Sequence, residues 1–205
     1  MPATESYQHP LFARLYLRMS QSAERRGVAE HRQRLLVGLC GRVIELGAGN
    51  GLNFSHYPDT VTEVLAVEPD DVLREHAETA AAQASVPIQV VPGHADALPA
   101  GEAGFDAAVV SLVLCSVPDP VGALDQLRRA VRPGGELRFY EHVRSDRRWI
   151  ARAEDLIQPL WSRTCGGCHP NRNTLEAIEA AGFEVSQVEQ VRFGLLHVLG
   201  RATRS

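Results

Sequence analysis

The run Val43-Ile44-Glu45-Leu46-Gly47-Ala48-Gly49-Asn50-Gly51 restricts the possible folds of this chain more than any other segment. An apolar stretch that breaks into three glycines at alternate positions reads as a buried strand ending in a tight turn. Bare backbone at such a turn can approach a bound nucleotide-like group closely; a side chain would block it. A second apolar run follows, Val64-Leu65-Ala66-Val67, and ends at Glu68-Pro69. A carboxylate there can accept hydrogen bonds from both hydroxyls of a ribose. Strand, glycine turn and acid-terminated strand together imply an α/β sheet that binds an adenosine-type cofactor.

The pattern beyond this pair repeats strand and helix in turn. It predicts strands over 42–46, 64–67, 87–91, 105–112 and 136–141, and helices over 71–84, 120–131, 149–161 and 174–181. Asp70 or Asp71 caps the first of these helices. Pro133-Gly134-Gly135 ends the second, and Gly182 ends the last. Two closing strands, 183–191 and 195–202, flank Gly194 and form a hairpin. The region 9–39 reads as helical, broken by a polar stretch over 20–27. Such alternation gives a mostly parallel, seven-stranded sheet with right-handed crossovers and one antiparallel closing strand. Ligands on such sheets bind beyond the carboxyl ends of the strands, where the strand order reverses.

At 205 residues the chain is expected to be a single domain. It divides into a helical segment (1–40), a cofactor-binding core (41–143), and a substrate loop with closing strands (144–205). All 21 basic residues are arginine. That excludes a P-loop lysine, a Schiff-base lysine and a Tyr-x-x-x-Lys dehydrogenase pair. A net charge of −4 argues against general nucleic-acid binding. No apolar run reaches membrane-spanning length, and the N-terminus lacks a signal-peptide pattern, so a cytoplasmic location is expected.

The glycine spacing is Gly-x-Gly-x-Gly, without the last glycine of the dinucleotide pattern. Further segments follow in order: Gly93-His94-Ala95-Asp96-Ala97-Leu98-Pro99, then Phe105-Asp106 opening a strand that ends at Ser111-Leu112-Val113, then Arg132-Pro133-Gly134-Gly135. Together these resemble the successive motifs of class I S-adenosylmethionine-dependent methyltransferases. The match narrows with Asn50-Gly51-Leu52-Asn53-Phe54, Tyr57-Pro58, Leu112-Val113-Leu114-Cys115-Ser116-Val117, Glu141-His142-Val143, a Cys-containing loop before Thr174-Leu175, and the ending His197-Val198-Leu199-Gly200-Arg201-Ala202. These look like the methyltransferase-like alkyl-thiol S-methyltransferases of animals, without their membrane-anchoring N-terminal segment. The menaquinone/ubiquinone methyltransferase branch is a more distant match.

The resemblance implies S-adenosyl-L-methionine as cofactor and a small-molecule acceptor, with thiol S-methylation preferred over O-, N- or C-methylation. It assigns Gly47, Gly49 and Gly51 to the amino-acid part of the cofactor, with Glu45 supporting its ammonium end and Asn53 nearby. Glu68 with Pro69 would hold the ribose. Asp96 would bind the adenine amino group, with backbone contacts from Ala97; a helix cap is the other reading of Asp96. Ser111 and Leu112 would line the methionine portion. His142 and His169 are candidates to take the acceptor's proton, each with a structural role as its alternative. By position alone, Tyr7, His9 and Tyr16 sit on a helical segment placed to act as a lid, and Phe12 and Tyr16 read as lining of the acceptor pocket or as core residues.

Cys165-Gly166-Gly167-Cys168-His169 matches a haem-attachment pattern, but that requires export. A structural zinc site needs four ligands, and this cluster is too small. It reads as a loop over the active site, with no metal. Cys40 and Cys115 read as small core residues. A nicotinamide-dependent oxidoreductase and a non-catalytic cofactor-binding protein remain the readings from other classes.

Overall fold

The computed structural model describes residue 8 and residues 10–205. Tyr7 and His9 lie outside the described residues. Helix α1 (Pro10–Ala23) runs through a π-helical turn (Glu24–Val28) into α2 (Ala29–Leu36). The expected break is therefore a swing rather than a gap: the chain stays helical and turns at Gly27, whose φ of 114° suits glycine.

Strands β1 (Gly41–Leu46), β2 (Val61–Val67), β3 (Ile88–Val91), β4 (Phe105–Ser111) and β5 (Val131–His142) alternate with helices α3 (Asp71–Ala81) and α4 (Pro120–Ala130). Helices α5 (Arg148–Thr164) and α6 (Thr174–Ala180) lead to β6 (Phe183–Phe193) and β7 (Leu195–Arg204). The sheet order is β3-β2-β1-β4-β5-β7-β6. Only β7 opposes its neighbours: it pairs antiparallel with both β5 and β6. The order reverses between β1 and β4, so the glycine turn leaves the sheet at the switch point.

Two apolar layers cover the central strands. On one face Ile44, Leu46, Val110, Leu124, Leu127 and Phe139 pack together; on the other, Leu35, Leu36, Val43, Val64, Val109 and Tyr140 do. Continuous burial from Ala107 to Val110 explains the apolar centre of β4, and polar Asp106 and Ser111 stand at its half-buried ends. Asp70 caps α3 by accepting from the Leu73 N–H at 3.0 Å. The Pro-Gly-Gly segment differs from its expected role. Val131 already pairs with Phe105, residues 132–135 bulge, and pairing resumes at Ala107 with Glu136. The segment kinks a strand instead of preceding one. Cys40 also differs: it is exposed in the turn before β1, not a core residue, whereas Cys115 is buried.

Candidate active site

The glycine turn is backed by its own cage. Gly47, Gly49 and Gly51 all have positive φ, between 58° and 77°. A Cβ on Gly47 would lie 2.5 Å from Val113, and one on Gly51 would lie 2.9 Å from Ala80 and Phe54. Glycine is required there by both conformation and space. The face of Gly49 is roofed instead by the Tyr16 ring of α1, which a Cβ would meet at 3.5 Å. Glu68 aims back into this turn. Its Oε2 accepts from the Gly49 N–H (2.7 Å) and its Oε1 from the Asp70 N–H (2.9 Å). Burial outweighs these two donors and pushes the carboxyl up to about 7. Each oxygen keeps a second lone pair for a further donor.

Glu45, at the end of β1, is enclosed in a polar network. Asn53 Nδ2 donates to one oxygen (2.8 Å) and the Tyr57 hydroxyl to the other (2.6 Å). Burial raises Glu45 despite them. Arg32, buried on α2, ties this network to β4. Its Nη1 donates to Asn53 Oδ1 (2.9 Å) and Ser111 Oγ (3.1 Å), and its Nε to Glu24 (2.7 Å). Glu45, Asn53 and Ser111 are thus brought together by an arginine that no motif singles out. A cation buried on a short polar helix is the signal that marks it in hindsight.

Asp96 and Ala97 lie apart from that network, on the loop after β3, and both are exposed. The Ala97 N–H donates to the His94 carbonyl, closing a turn, and no helix follows. Asp96 is therefore not a helix cap. Leu112 leaves β4 with a φ of 61°, a left-handed conformation that costs a leucine energy. Glu141 holds the chain there: Oε1 accepts from the Val113 N–H (2.8 Å) and Leu114 N–H (3.0 Å), and Oε2 from the Cys115 N–H (3.2 Å). Sequence reasoning missed this role. A carboxylate inside an apolar strand is its signal.

The 165–169 loop packs down on the same region. The His169 N–H donates to the Cys115 carbonyl (2.7 Å), and a Cβ on Gly166 would lie 2.5 Å from the Phe12 ring. Arg172 braces the turn below, donating to the carbonyls of Leu114 (2.6 Å) and Val117 (2.7 Å). Cys168 does not pair with Cys165. Its sulfur lies 3.7 Å from that of Cys115, and both face His142 Nδ1, at 3.4 and 3.5 Å. These contacts lower the Cys168 thiol, while the same contact and burial raise Cys115. His142 packs against buried His197, with ring centroids 4.3 Å apart and planes tilted by 40°. His169 is elsewhere on the loop; its Nδ1 bonds the Gly167 carbonyl.

A family described as a methyltransferase domain matches residues 44–139. Human thiol S-methyltransferase TMT1B is 32% identical over 183 residues, which cover 82% of this chain and 74% of that protein. The chain belongs to the S-adenosylmethionine-dependent methyltransferases. Human thiol S-methyltransferase TMT1A is 27% identical over 79% of this chain and 70% of its own length. Demethylmenaquinone methyltransferase of Renibacterium salmoninarum is 30% identical, over 51% of this chain and 45% of that protein. Among solved structures, an S-adenosylmethionine-dependent methyltransferase of Mesorhizobium loti superposes with a TM-score of 0.64 at 20% identity, covering 84% of this chain and 95% of its own. The cyclase SpnF matches as well, with a TM-score of 0.67 at 20% identity, 90% of this chain and 81% of its own. Those structures carry the fold alone; the sequence relatives carry the family, which sets aside the oxidoreductase reading.

The site of this methyltransferase fits its cofactor. Positive-φ glycines form the cradle, and a buried carboxylate with free lone pairs stands beside it, held above its usual range by burial. Among the described residues, no helix is long and apolar enough to cross a membrane.

Proposed function

We propose that this methyltransferase methylates the sulfur of a small thiol in the cytoplasm. The observation that carries the proposal is the likeness to thiol S-methyltransferase TMT1B over 82% of the chain. It extends well beyond the 44–139 region to which the general methyltransferase match is confined. When bound, S-adenosylmethionine supplies a methyl group already activated on a sulfonium sulfur. The chain's own residues have four tasks: bind, orient, exclude water and manage one proton.

Glu68 and Pro69 take the ribose side in this reading, the turn of Gly47, Gly49 and Gly51 the amino-acid side, and Asp96 with Ala97 the adenine edge. Ser111 and the left-handed Leu112 bound the methionine portion. Glu45 acts through Asn53, which it orients. Tyr16 must swing off Gly49 to admit the cofactor and closes over it afterwards, with Phe12 and the 165–168 loop completing the cover. A thiol with a pKa of about 8.5 needs only a modest base. His169 suits that role, because Nδ1–H donation to the Gly167 carbonyl leaves Nε2 free to accept. His142 is less free, since its Nδ1 already faces two sulfurs.

The test is turnover of a panel of alkyl thiols against matched phenols and amines, followed by mass detection of the methylated products. Alkyl thiols are expected to react at least about tenfold faster than the others, a transition-state preference of about 1.4 kcal/mol. Reaction of oxygen, nitrogen or quinone acceptors alone would defeat the thiol assignment and leave the methyltransferase intact.

A further inference from the structure

We propose that Cys115 Sγ, Cys168 Sγ and His142 Nδ1 form a zinc site whose fourth position receives the sulfur of the acceptor thiol. The three ligand atoms form one compact group, all within 4.8 Å of each other. Their separations are informative. Tetrahedral zinc, with Zn–S of about 2.3 Å and Zn–N of about 2.05 Å, sets two sulfurs about 3.8 Å apart and sulfur from nitrogen about 3.5 Å. The observed edges are 3.7 Å between sulfurs and 3.5 and 3.4 Å from each sulfur to Nδ1. Three edges of one tetrahedron are more than a chain of hydrogen bonds would require. Two thiolates and an imidazole are also a donor set that selects zinc over the hard cations.

The ligands come from three separately braced elements. Cys115 follows β4 on the turn that Glu141 and Arg172 hold. His142 ends β5, its ring laid against His197. Cys168 ends a loop tied to Cys115 through the His169 N–H. Such outer contacts fix ligand orientation before a metal arrives. Among the described residues, no fourth Asp, Glu, His or Cys joins the group. Three protein ligands and one vacant corner are the pattern of catalytic rather than structural zinc. The group borders the crevice assigned to the cofactor: Val113, two residues before Cys115, packs on Gly47 of the glycine turn, and Gly166, two residues before Cys168, meets Phe12, whose ring centroid lies 6.0 Å from that of Tyr16 over Gly49.

The thiol clause rests on the proposed thiol methylation. On coordination the S–H bond breaks, its proton passes by way of the His169 imidazole to solvent, and both electrons stay on sulfur as a zinc-bound thiolate.

The test uses the full chain, purified reduced from zinc-supplemented cells and dialysed against metal-free buffer, with metal read by plasma mass spectrometry. About one zinc per chain is expected. Cys168→Ser and His142→Gln should hold less than about a tenth of that, while Cys165→Ser, in the same loop but outside the group, should keep it. S-adenosylhomocysteine binding by each variant confirms that it is folded. A zinc-free wild type, or equal zinc in all three variants, overturns the site. So does a reduced protein that takes up no zinc but loses two thiols to hydrogen peroxide, which oxidises Cys115 and Cys168 to a disulfide and is itself reduced to water. In the cobalt-substituted protein, an alkyl thiol should shift the visible absorption; an unchanged spectrum overturns the open fourth position. Zinc-free protein that still methylates thiols refutes the metal and spares the activity. Zinc-loaded protein that methylates only other acceptors does the reverse.

Discussion

Replacing Glu68 with alanine is expected to weaken S-adenosylhomocysteine binding about a hundredfold in a protein that still folds. Hydrogen bonds to a charged acceptor contribute roughly 1.5–3 kcal/mol each, and a ribose offers two. The carboxylate also braces the turn through the Gly49 N–H, so the variant loses cofactor contact and cradle order together. Calorimetric titration reads the change. The wild type should show a pH dependence as well. In the ligand-free protein the Glu68 carboxyl sits at about 7 because burial disfavours its charge. The ionised form is the better acceptor, so binding should be about tenfold weaker at pH 6 than on its plateau above pH 8, and the alanine variant should lack this slope. Stability runs the other way. A carboxyl raised above its unfolded value of 4.5 takes stability away as pH rises from about 4.5 to 7. Cofactor binding restores it, so the thermal shift caused by S-adenosylhomocysteine should grow across the same interval. A Glu68→Ala protein that binds as tightly as wild type would remove this residue from the ribose site.

The features read correctly from the sequence are those that local chemistry dictates. Alternate glycines, the acid after β2, the Asp70 cap and the apolar run of β4 each declare themselves within a few residues, and each lies where expected. What was not legible depends on chain topology. Cys115 and Cys168 stand 53 positions apart, and Cys168 and His142 26 apart, yet one strand end and one loop bring them together. Read locally, Cys168 belonged with Cys165 and His169. The sheet order gives it other neighbours. Arg32 is similar: its partners Asn53 and Ser111 lie 21 and 79 residues away. The Pro-Gly-Gly segment failed for a different reason. Its turn chemistry was real, but a bulge inside a strand uses the same residues as a turn before one.

Glu141 is where fold and site meet most directly, and its removal should give the largest loss of stability. The residue is fully buried and accepts three backbone N–H groups, from Val113, Leu114 and Cys115. No regular strand or helix supplies partners for those donors, because the chain has just left β4 through the left-handed Leu112. Glu141→Ala would leave all three without an acceptor, at a cost of about 3–5 kcal/mol. For a domain of this size that corresponds to a melting temperature lower by roughly 10 °C. Glu141→Gln is the discriminating control. Its single carbonyl oxygen can still accept from Val113 and Leu114, while its amide NH₂ faces the Cys115 N–H as a second donor. The expected loss is about 1–2 kcal/mol, concentrated at that position. If the carboxylate served only as a local charge, glutamine and alanine would destabilise equally. The graded order, wild type above glutamine above alanine, is what three directed N–H bonds require, and scanning calorimetry resolves it. In glutamine protein that remains folded, hydrogen exchange should quicken at Cys115 before Val113, because the lost acceptor is the one that positions the cysteine beside His142.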